Sequence, residues 1–279
     1  MRHWSFTKGH GTENDFVLLL DRESMLHVGP AEVRYLCDRR AGVGGDGLLR
    51  AVAARHIAEW DGDGSLWFMD YRNADGSVAE MCGNGLRVFA RFLLDSNLAS
   101  GPTLDIATRT GLQQATALRD GRIRVSMGPV TVGADAAGVP VTTADGQRFA
   151  ARPADVGNPH AVSFVDELDT LDLHLSPSFP ADAFPDGVNL EFVRRLGPEH
   201  LAMRVHERGV GETRSCGTGT VAAAAAARAQ SAEADPLPVT YRVDVPGGSV
   251  EVELTDDQAY LTGPAVLVAT GQVTVPEEG

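Results

Sequence analysis

Residues Arg204–Thr220 read RVHERGVGETRSCGTGT, and they place a single thiol, Cys216, in a glycine-rich turn. The turn leads into the run TVAAAAAARAQ, whose alanines are strong helix formers. The start of a helix leaves backbone N–H groups without partners and carries partial positive charge, so it attracts anions and favours a thiolate. A single Cys before a helix is more often a small buried residue, so this pattern needs a second observation.

The same pattern occurs earlier in the chain. Residues 73–87 read NADGSVAEMCGNGLR, again with Cys-Gly-x-Gly before an apolar, helix-forming run. Aligning Cys82 with Cys216 places Asn73 opposite Glu207 and the following glycines opposite one another. Two copies in one chain indicate one structural unit used twice, and they favour a chemical role for both thiols.

Length, charge and Cys usage limit the class of protein. With 279 residues, the chain predicts two domains or one large one. The formal net charge of −14 argues against nucleic acid as a partner, because such binding neutralises phosphates with basic patches. Only Cys37, Cys82 and Cys216 occur, an odd number that does not suggest a secreted disulfide framework. We interpret Cys37 as a core residue.

The N-terminal residues carry no targeting signal. The opening MRHWSFTKGHGTENDF lacks the apolar stretch of a signal peptide, and the run Phe16–Leu20 is too short to span a bilayer. Free thiols are typical of a reducing compartment. We therefore expect a cytoplasmic protein without a membrane partner.

Lysine is nearly absent from the sequence. Of 24 basic residues, Lys8 is the only lysine. Enzymes that use pyridoxal phosphate hold it through a Schiff-base lysine, and Lys8 is the sole candidate for that role. Chemistry at an amino-acid α-carbon is then expected to need no cofactor.

The second half of the chain repeats the first. Residues 6–21, FTKGHGTENDFVLLLD, predict a glycine turn followed by the strand Phe16–Leu20. Residues 154–166, ADVGNPHAVSFVD, carry an Asn at the mouth of an apolar strand, as Asn14 does before Phe16–Leu20. Residues 127–140, MGPVTVGADAAGVP, are rich in Gly, Ala and Pro and are the best linker candidate. We predict an N-terminal domain over residues 1–127 and a C-terminal domain over residues 128–264. A strand at about 265–279 is expected to return to the first domain.

The helix after Cys216 has almost no polar face in its first two turns. A helix that is apolar all round must be buried on every side, which indicates a curved sheet around it. The predicted fold is therefore α/β (α+β), with two pseudo-symmetric domains, each a curved, mainly antiparallel sheet wrapped around a central helix. Residues 42–47, GVGGDG, match the dinucleotide pattern only formally, because no buried strand precedes them. We interpret them as a loop.

Two such thiols facing each other across a pseudo-two-fold axis would lie on opposite faces of a planar carbon. That geometry suits a two-base racemase or epimerase, in which one thiolate removes an α-proton and the opposite thiol returns one. The carboxylate of the substrate gains negative charge, and backbone N–H groups at the two helix starts would stabilise it. The residues that supply these groups are Gly83, Asn84, Gly217 and Thr218.

Other interpretations remain open at this point. A cysteine hydrolase could pair one Cys with His160, but the second Cys turn would then have no role. A zinc site would need Cys or His ligands at short spacings, and neither Cys82 nor Cys216 has one within four residues. A disulfide switch between those thiols is also possible, but it leaves the surrounding Asn and Arg residues unexplained.

Over nearly its whole length the chain resembles the diaminopimelate epimerase family. The motifs that carry the resemblance are FTKGHGTENDF, NADGSVAEMCGNGLR, DVGNPHAVSFV, DGVNLEFV and RVHERGVGETRSCGTGT. The resemblance implies two similar α/β domains that close over substrate. It also implies pyridoxal-independent interconversion of LL- and meso-2,6-diaminopimelate, on the route to lysine and peptidoglycan precursors, by an isomerase that is a homodimer.

The resemblance also implies roles for individual residues. Cys82 and Cys216 would be the acid–base pair, assisted by Glu207 and His160. The distal amino-acid group of the substrate would be held by Asn73, Asn158, Asn189 and Arg208, with Asn14 lining the site. An Arg suits a distal carboxylate, and Asn carbonyls suit an ammonium group. No metal site is implied.

The sequence departs from the family pattern in a few places. Gly47 stands where some relatives carry a Gln that touches substrate. The proline racemase group is the nearest competitor, but those enzymes commonly have His where this chain has Asn84, and they need no anchor for a distal amino-acid head. A hypothesis from another class is a non-catalytic amino-acid-binding protein, which reactive paired thiols and α-proton exchange would argue against.

Overall fold

The computed structural model describes residues 1–79, 81–134, 137–231 and 236–276. The chain divides into two compact units. The first comprises Met1–Val125 and Pro264–Gly279, and the second comprises Ser126–Gly263.

The elements up to the end of the first unit's main segment are the strands β1 (Arg2–Gly11), β2 (Asn14–Leu20), β3 (Gly47–Ala53), β4 (Trp67–Asn73), β5 (Thr103–Thr108), β6 (Gly111–Ala117) and β7 (Ile123–Gly128), and the helices α1 (Pro30–Cys37) and α2 (Gly83–Asp95). The remaining elements are β8 (Thr131–Val132), β9 (Val139–Thr142), β10 (Arg148–Asp155), β11 (Pro159–Phe164), β12 (Asn189–Gly197), β13 (His200–Glu207), β14 (Gly211–Thr213), α3 (Gly217–Gln230), β15 (Val239–Val245), β16 (Gly248–Leu254), β17 (Ala259–Gly263) and β18 (Val266–Val275). A short 3-10 helix covers Ala54–His56.

In the first unit the strands pair in the order β18, β1, β2, β3, β4, β5, β6, β7. The pairs β2–β3 and β4–β5 are parallel, and the others are antiparallel. The C-terminal strand β18 thus pairs with β1, at the opposite end of the chain. Helix α2 lies in the connection between the parallel strands β4 and β5, where a crossover is required.

The second unit repeats this succession of pairings. Strands β8 and β9 both pair with β10, and the order continues as β11, β12, β13, β15, β16, β17. Here the parallel pairs are β11–β12 and β13–β15. Helix α3 again lies in the connection between the strands of the second parallel pair. Each unit is therefore the same mixed, mainly antiparallel arrangement with one long helix.

The sheet of each unit curves around its long helix. Helix α3 contacts β8, β10, β11, β12, β13, β15, β16 and β17. Eight strands spaced about 4.8 Å apart would span about 34 Å if they lay flat, whereas a helix is about 10 Å wide. Only a curved sheet lets one helix reach them all. Residues 217–227 of α3 are all buried, as the run of alanines predicts.

The structure corrects the interpretation of the N-terminal residues. The sequence predicts a glycine turn before β2, but Gly9 and Gly11 lie inside strand β1. They are required for close approach, because a Cβ on Gly9 would lie 2.9 Å from Val88 Cγ1 and one on Gly11 3.0 Å from Arg87 Nη2. The turn falls instead at residues 12 and 13, whose φ values of 50° and 61° suit a tight β-hairpin.

Two other regions bear on the sequence predictions. The linker candidate at 127–140 contains β8 and the start of β9, and its residues 135 and 136 lie outside the described part of the chain. The GVGGDG segment is a loop up to Asp46, after which β3 begins, as predicted. Among the described residues, no helix has the length and apolar character needed to cross a membrane.

Candidate active site

Both thiols cap the long helix of their unit. Cys82 is the N-cap of α2, and its sulfur accepts a hydrogen bond from the Gly85 N–H at 3.4 Å. Cys216 is the N-cap of α3, and its sulfur accepts from the Gly219 N–H at 3.4 Å. An N-cap acceptor satisfies one of the free N–H groups of the first turn. Each sulfur is thus aimed at the positive end of a helix.

In the first unit Cys82 belongs to a small polar cluster. Its Sγ lies 3.6 Å from Asn14 Oδ1, which also accepts from Asn84 Nδ2 at 3.3 Å. The other amide atom of Asn14, Nδ2, donates to Asp46 Oδ2 at 2.8 Å. Asn14 is therefore fixed between the thiol and a carboxylate. Asn73 ends strand β4, and its side chain donates to Ser77 rather than to this cluster.

In the second unit a hydrogen-bond chain leads to Cys216. The sulfur lies 3.5 Å from Thr218 Oγ1, which accepts from Asn158 Nδ2 at 3.4 Å. Asn158 Oδ1 is 3.0 Å from His160 Nε2, and His160 Nδ1 is 2.7 Å from Glu191 Oε1. His160 and Glu191 are both fully buried. The chain brings together three of the predicted residues, namely Asn158, His160 and Thr218, and adds Glu191.

Charge near Cys216 opposes its ionisation. Burial raises the pKa of the Cys216 thiol well above its usual value, and repulsion from the Glu207 and Glu191 carboxylates raises it further. Hydrogen bonds from Thr218 and the Gly219 N–H act in the opposite direction but are weaker. Together these effects favour the protonated form of Cys216.

The predicted distal-group residues Asn189 and Arg208 contact each other. Asn189 Oδ1 accepts from the backbone N–H of Arg208 at 2.9 Å, and Arg208 Nη1 donates to the Asp186 carbonyl at 3.0 Å. The Arg208 side chain remains exposed. Its guanidinium has further donors for a ligand carboxylate, since the contacts among described residues use only one of them. Glu207, the preceding residue, accepts a hydrogen bond from the Thr213 hydroxyl.

The two units place corresponding residues at corresponding points of their strands and helices. The strand registers and helix starts give these equivalent pairs: Asn14 and Asn158, Phe16 and His160, Gly47 and Asn189, Leu49 and Glu191, Asn73 and Glu207, Asn84 and Thr218. A Cβ on Gly85 would meet Phe16 and Leu49, whereas one on Gly219 would lie 2.7 Å from Glu191 Oε1. The side chains that contact the second glycine of the turn are thus apolar in the first unit and include a carboxylate in the second.

Sequence reasoning missed Asp46 and Glu191. The signal for Glu191 was its position in NLEFV, where a carboxylate interrupts an otherwise apolar strand that is buried from Asn189 to Val193. A buried carboxylate needs a partner, and His160 is that partner. Asp46 lies in a glycine-rich loop, and nothing in the sequence indicates its bond to Asn14.

The departure at Gly47 has a structural reason. Gly47 starts β3 opposite Asn73. A Cβ there would lie 2.7 Å from the Arg72 carbonyl and 2.8 Å from Tyr71 Cε2. No side chain fits at this position without movement of the backbone and of the tyrosine ring, so the local sequence requires glycine.

Two further observations concern cofactors. No group of three or more His, Cys, Asp or Glu side chains suited to a metal ion is found among residues 1–79, 81–134, 137–231 and 236–276. Lys8, the single lysine, forms an ion pair with Asp15 at 2.6 Å and also donates to the Gly44 carbonyl. Its ammonium group is thus held by protein atoms.

Solved structures define the class of fold. A phenazine biosynthesis protein of the PhzF family from Bacillus anthracis aligns with 99% of this chain and 100% of its own at a TM-score of 0.74 and 16% identity. A hydroxyproline epimerase from Agrobacterium vitis, with bound trans-4-hydroxy-L-proline, aligns with 98% of this chain and 92% of its own at a TM-score of 0.69 and 16% identity. The chain therefore has the paired-domain fold of these proteins, and the fold predicted from sequence is confirmed.

Sequence comparison narrows the class to a family. The family model for diaminopimelate epimerase matches residues 6–133 and 153–268. The chain is 52% identical over 278 residues to the diaminopimelate epimerase of Streptomyces coelicolor, covering 96% of this chain and 94% of that protein. It is 47% identical over 276 residues to that of Thermobifida fusca, covering 96% and 97%. The chain belongs to the diaminopimelate epimerase family, and the resemblance inferred from its motifs is confirmed.

Proposed function

We propose that this chain interconverts LL- and meso-2,6-diaminopimelate by a two-base mechanism without a cofactor. Family membership makes it an isomerase that acts on a small molecule, and the names of its relatives support this substrate. The observation that carries the mechanism is the equivalent placement of Cys82 and Cys216, each with its sulfur at the N-cap of a long central helix.

In the forward direction, one thiolate takes the α-proton of the LL isomer, and the electron pair moves into the adjacent carboxylate. The opposite thiol then donates its proton to the other face of the carbon, giving the meso isomer. The two sulfurs finish with exchanged protonation states, so the next turnover needs proton re-equilibration or the reverse reaction. Each turnover needs one thiolate and one thiol. The raised pKa of Cys216 supports Cys216 as the thiol before substrate binds.

The backbone of the two helix starts would stabilise the charged intermediate. The N–H groups of Gly83, Asn84, Gly217 and Thr218 lie in the first turns of α2 and α3, where no intrahelical acceptor exists for them. Donors fixed in advance are effective because they need no reorganisation as charge develops. His160 and Glu207 would assist near Cys216, since both lie in its unit and Glu207 acts on its ionisation.

The distal amino-acid head would be bound by Arg208 and by amide side chains. The exposed guanidinium of Arg208 is suited to the distal carboxylate. The carbonyl oxygens of Asn73, Asn158 and Asn189, with Asn14 lining the site, are suited to the ammonium group. Recognition of both ends selects a long, two-headed amino acid over proline.

The protein would work in the cytoplasm, on the route to lysine and peptidoglycan precursors, as a homodimer. Support for the compartment comes from the free thiols Cys37, Cys82 and Cys216. Independence from pyridoxal phosphate is supported by the engagement of Lys8, the single lysine, with Asp15.

The test is incubation of the purified, reduced protein with LL-diaminopimelate in deuterated water without added cofactor. We expect meso product that carries one α-deuterium, identified by chiral separation and mass spectrometry. Cys82→Ala and Cys216→Ala should each abolish turnover, with Cys37→Ala as the matched control that keeps it. Exchange on proline or hydroxyproline instead would move the substrate to the proline racemase group, and no exchange on either would support an amino-acid-binding protein.

A further inference from the structure

Arg87 is a buried cation that the mechanism above does not use. It lies in helix α2 and has no exposed surface. Its Nε donates to the Pro264 carbonyl and its Nη2 to Thr12 Oγ1, both at 3.3 Å, and its buried Nη1 has no hydrogen-bond partner. Both acceptors are neutral, and within the described part of the chain no carboxylate forms an ion pair with this guanidinium.

The guanidinium lies near the end of α2 that carries Cys82. Arg87 Nη2 and the carbonyl oxygen of Asn84 both lie beside Gly11, because a Cβ built on Gly11 would be 3.0 Å from the first and 3.1 Å from the second. Asn84 is the second residue of α2, so Nη2 is close to the first turn of the helix. Thr12, which accepts a hydrogen bond from Arg87, is two residues before Asn14. Asn14 Oδ1 in turn lies 3.6 Å from the Cys82 sulfur. Helical side chains slope towards the N-terminus, which explains how a residue one turn on reaches this end.

The internal repeat shows that this cation is not a general requirement of the fold. Arg87 is the fifth residue after Cys82, and the fifth residue after Cys216 is Val221, which is equally buried. In the unit with Val221, a Cβ on Gly219 would lie 2.7 Å from Glu191 Oε1, whereas in the unit with Arg87 a Cβ on Gly85 would meet Leu49 and Phe16. The turns of the two units therefore differ in their described neighbours, with a buried arginine on the helix of one unit and a buried carboxylate beside the helix of the other.

Three carboxylates of the first unit are paired with cations. Asp46, which accepts from Asn14, forms an ion pair with Arg39 at 2.7 Å. Asp15 is paired with both Lys8 and Arg39. The buried Asp70 on β4 accepts from three arginines, which are Arg50, Arg72 and Arg109. Arg87 differs from these cations because no carboxylate among the described residues pairs with it.

We propose that Arg87 is a positioning residue for Cys82, and that its buried charge stabilises the thiolate form of that side chain relative to the thiol. This inference rests on the proposed function, because a two-base reaction needs one thiolate and one thiol before substrate binds. The second unit supplies the complement, since burial and the Glu207 and Glu191 carboxylates raise the pKa of Cys216.

The ionisation of Arg87 supports the same interaction. Burial lowers the pKa of Arg87 to about 10, while attraction to the Cys82 thiolate acts to raise it. At neutral pH the guanidinium is therefore still charged. Because the attraction between two groups acts equally on both, a thiolate that favours the charged arginine is itself favoured by that arginine.

The test measures the ionisation of Cys82 directly. In a Cys216→Ala background, the rate of Cys82 alkylation by iodoacetamide is followed against pH by mass spectrometry of the Cys82 peptide. Arg87→Met and Arg87→Gln should shift the midpoint to higher pH by about one unit or more, which is tenfold in the thiolate equilibrium. Arg87→Lys, which keeps the charge, should recover at least half of the shift. Arg91→Met, on the same helix and partly exposed, should leave the midpoint unchanged.

A merely structural role gives a different result. If Arg87→Gln is folded by circular dichroism and its alkylation midpoint equals that of the parent, the proposal is wrong. If neither Arg87→Met nor Arg87→Gln folds, the alkylation midpoint of Arg87→Lys tests the proposal. A midpoint within about half a unit of the parent supports the proposal, and a larger shift without loss of structure overturns it. Failure of the proposed function is seen separately, because it removes α-deuterium exchange from the unmodified protein.

Discussion

His160 Nδ1 lies 2.7 Å from Glu191 Oε1, and neither side chain has any exposed surface. Because Glu191 also repels a charge on Cys216, Glu191→Gln should lower the pKa of Cys216 and move its alkylation midpoint down by about one pH unit. The midpoint is measured in a Cys82→Ala background. Glu167→Gln, on the surface, is the control, and a midpoint that stays or rises in Glu191→Gln would show that this charge does not act on the thiol.

Thr218 offers a matched pair of variants, because its hydroxyl contacts Cys216 Sγ at 3.5 Å while its backbone N–H is independent of the side chain. Thr218→Val removes the hydroxyl at nearly constant volume and should raise the pKa of Cys216 by about one unit, with a lower kcat. Thr218→Ser retains the hydroxyl and should behave like the parent. Equal behaviour of the two variants would exclude a role for the hydrogen bond.

Arg208→Ala should raise KM for diaminopimelate by about tenfold or more with a smaller effect on kcat, because it removes a contact that exists in both the ground and transition states. The Asn189 contact that positions Arg208 uses only its backbone N–H and survives the substitution. Steady-state kinetics make the measurement, with the partly exposed Arg194→Ala as control. An unchanged KM would remove Arg208 from the distal site.

Cys37 should make the protein less stable in alkali. Burial raises the pKa of Cys37 to about 12 from 9.0, so the folded state holds a proton that the unfolded state loses. The stabilisation is complete below pH 9 and is lost as pH rises towards 12, by at most about 1.4 kcal/mol per pH unit. Urea unfolding between pH 8 and 10 should show a shallower decline for Cys37→Ala than for the parent. Identical slopes would contradict this, and activity at pH 8 is expected to be unaffected.

Gly47→Ala should destabilise the protein by about 1–3 kcal/mol, because the new methyl group would lie 2.7 Å from the Arg72 carbonyl. Gly197→Ala is the control, since a Cβ there would meet only His200 Cβ at 3.6 Å. Chemical denaturation compares the two. If both variants lose the same stability, the contact with Arg72 is not the reason for glycine at position 47.

Several parts of the fold and site were predictable because they depend on local patterns. The two Cys-Gly-x-Gly turns predicted α2 and α3, and the alanine run of α3 predicted its burial on all sides. The repeat of an Asn before an apolar strand located β2 and β11. In contrast, the glycines of β1 suggested a turn, because a glycine required for close packing cannot be distinguished by sequence from one required for a bend.

The sequence by itself determined the chemistry that is available: two thiols in equivalent turns, a single lysine, and the polar residues that surround each Cys. Only the tertiary structure decided how each thiol differs from the other. Strand pairing between segments far apart in the chain places Leu49 next to the first Cys turn and Glu191 next to the second. Arg87 contacts Thr12 because α2 packs against β1. Electrostatic effects depend on distance and burial rather than on residue type alone, and neither quantity exists until the chain is folded.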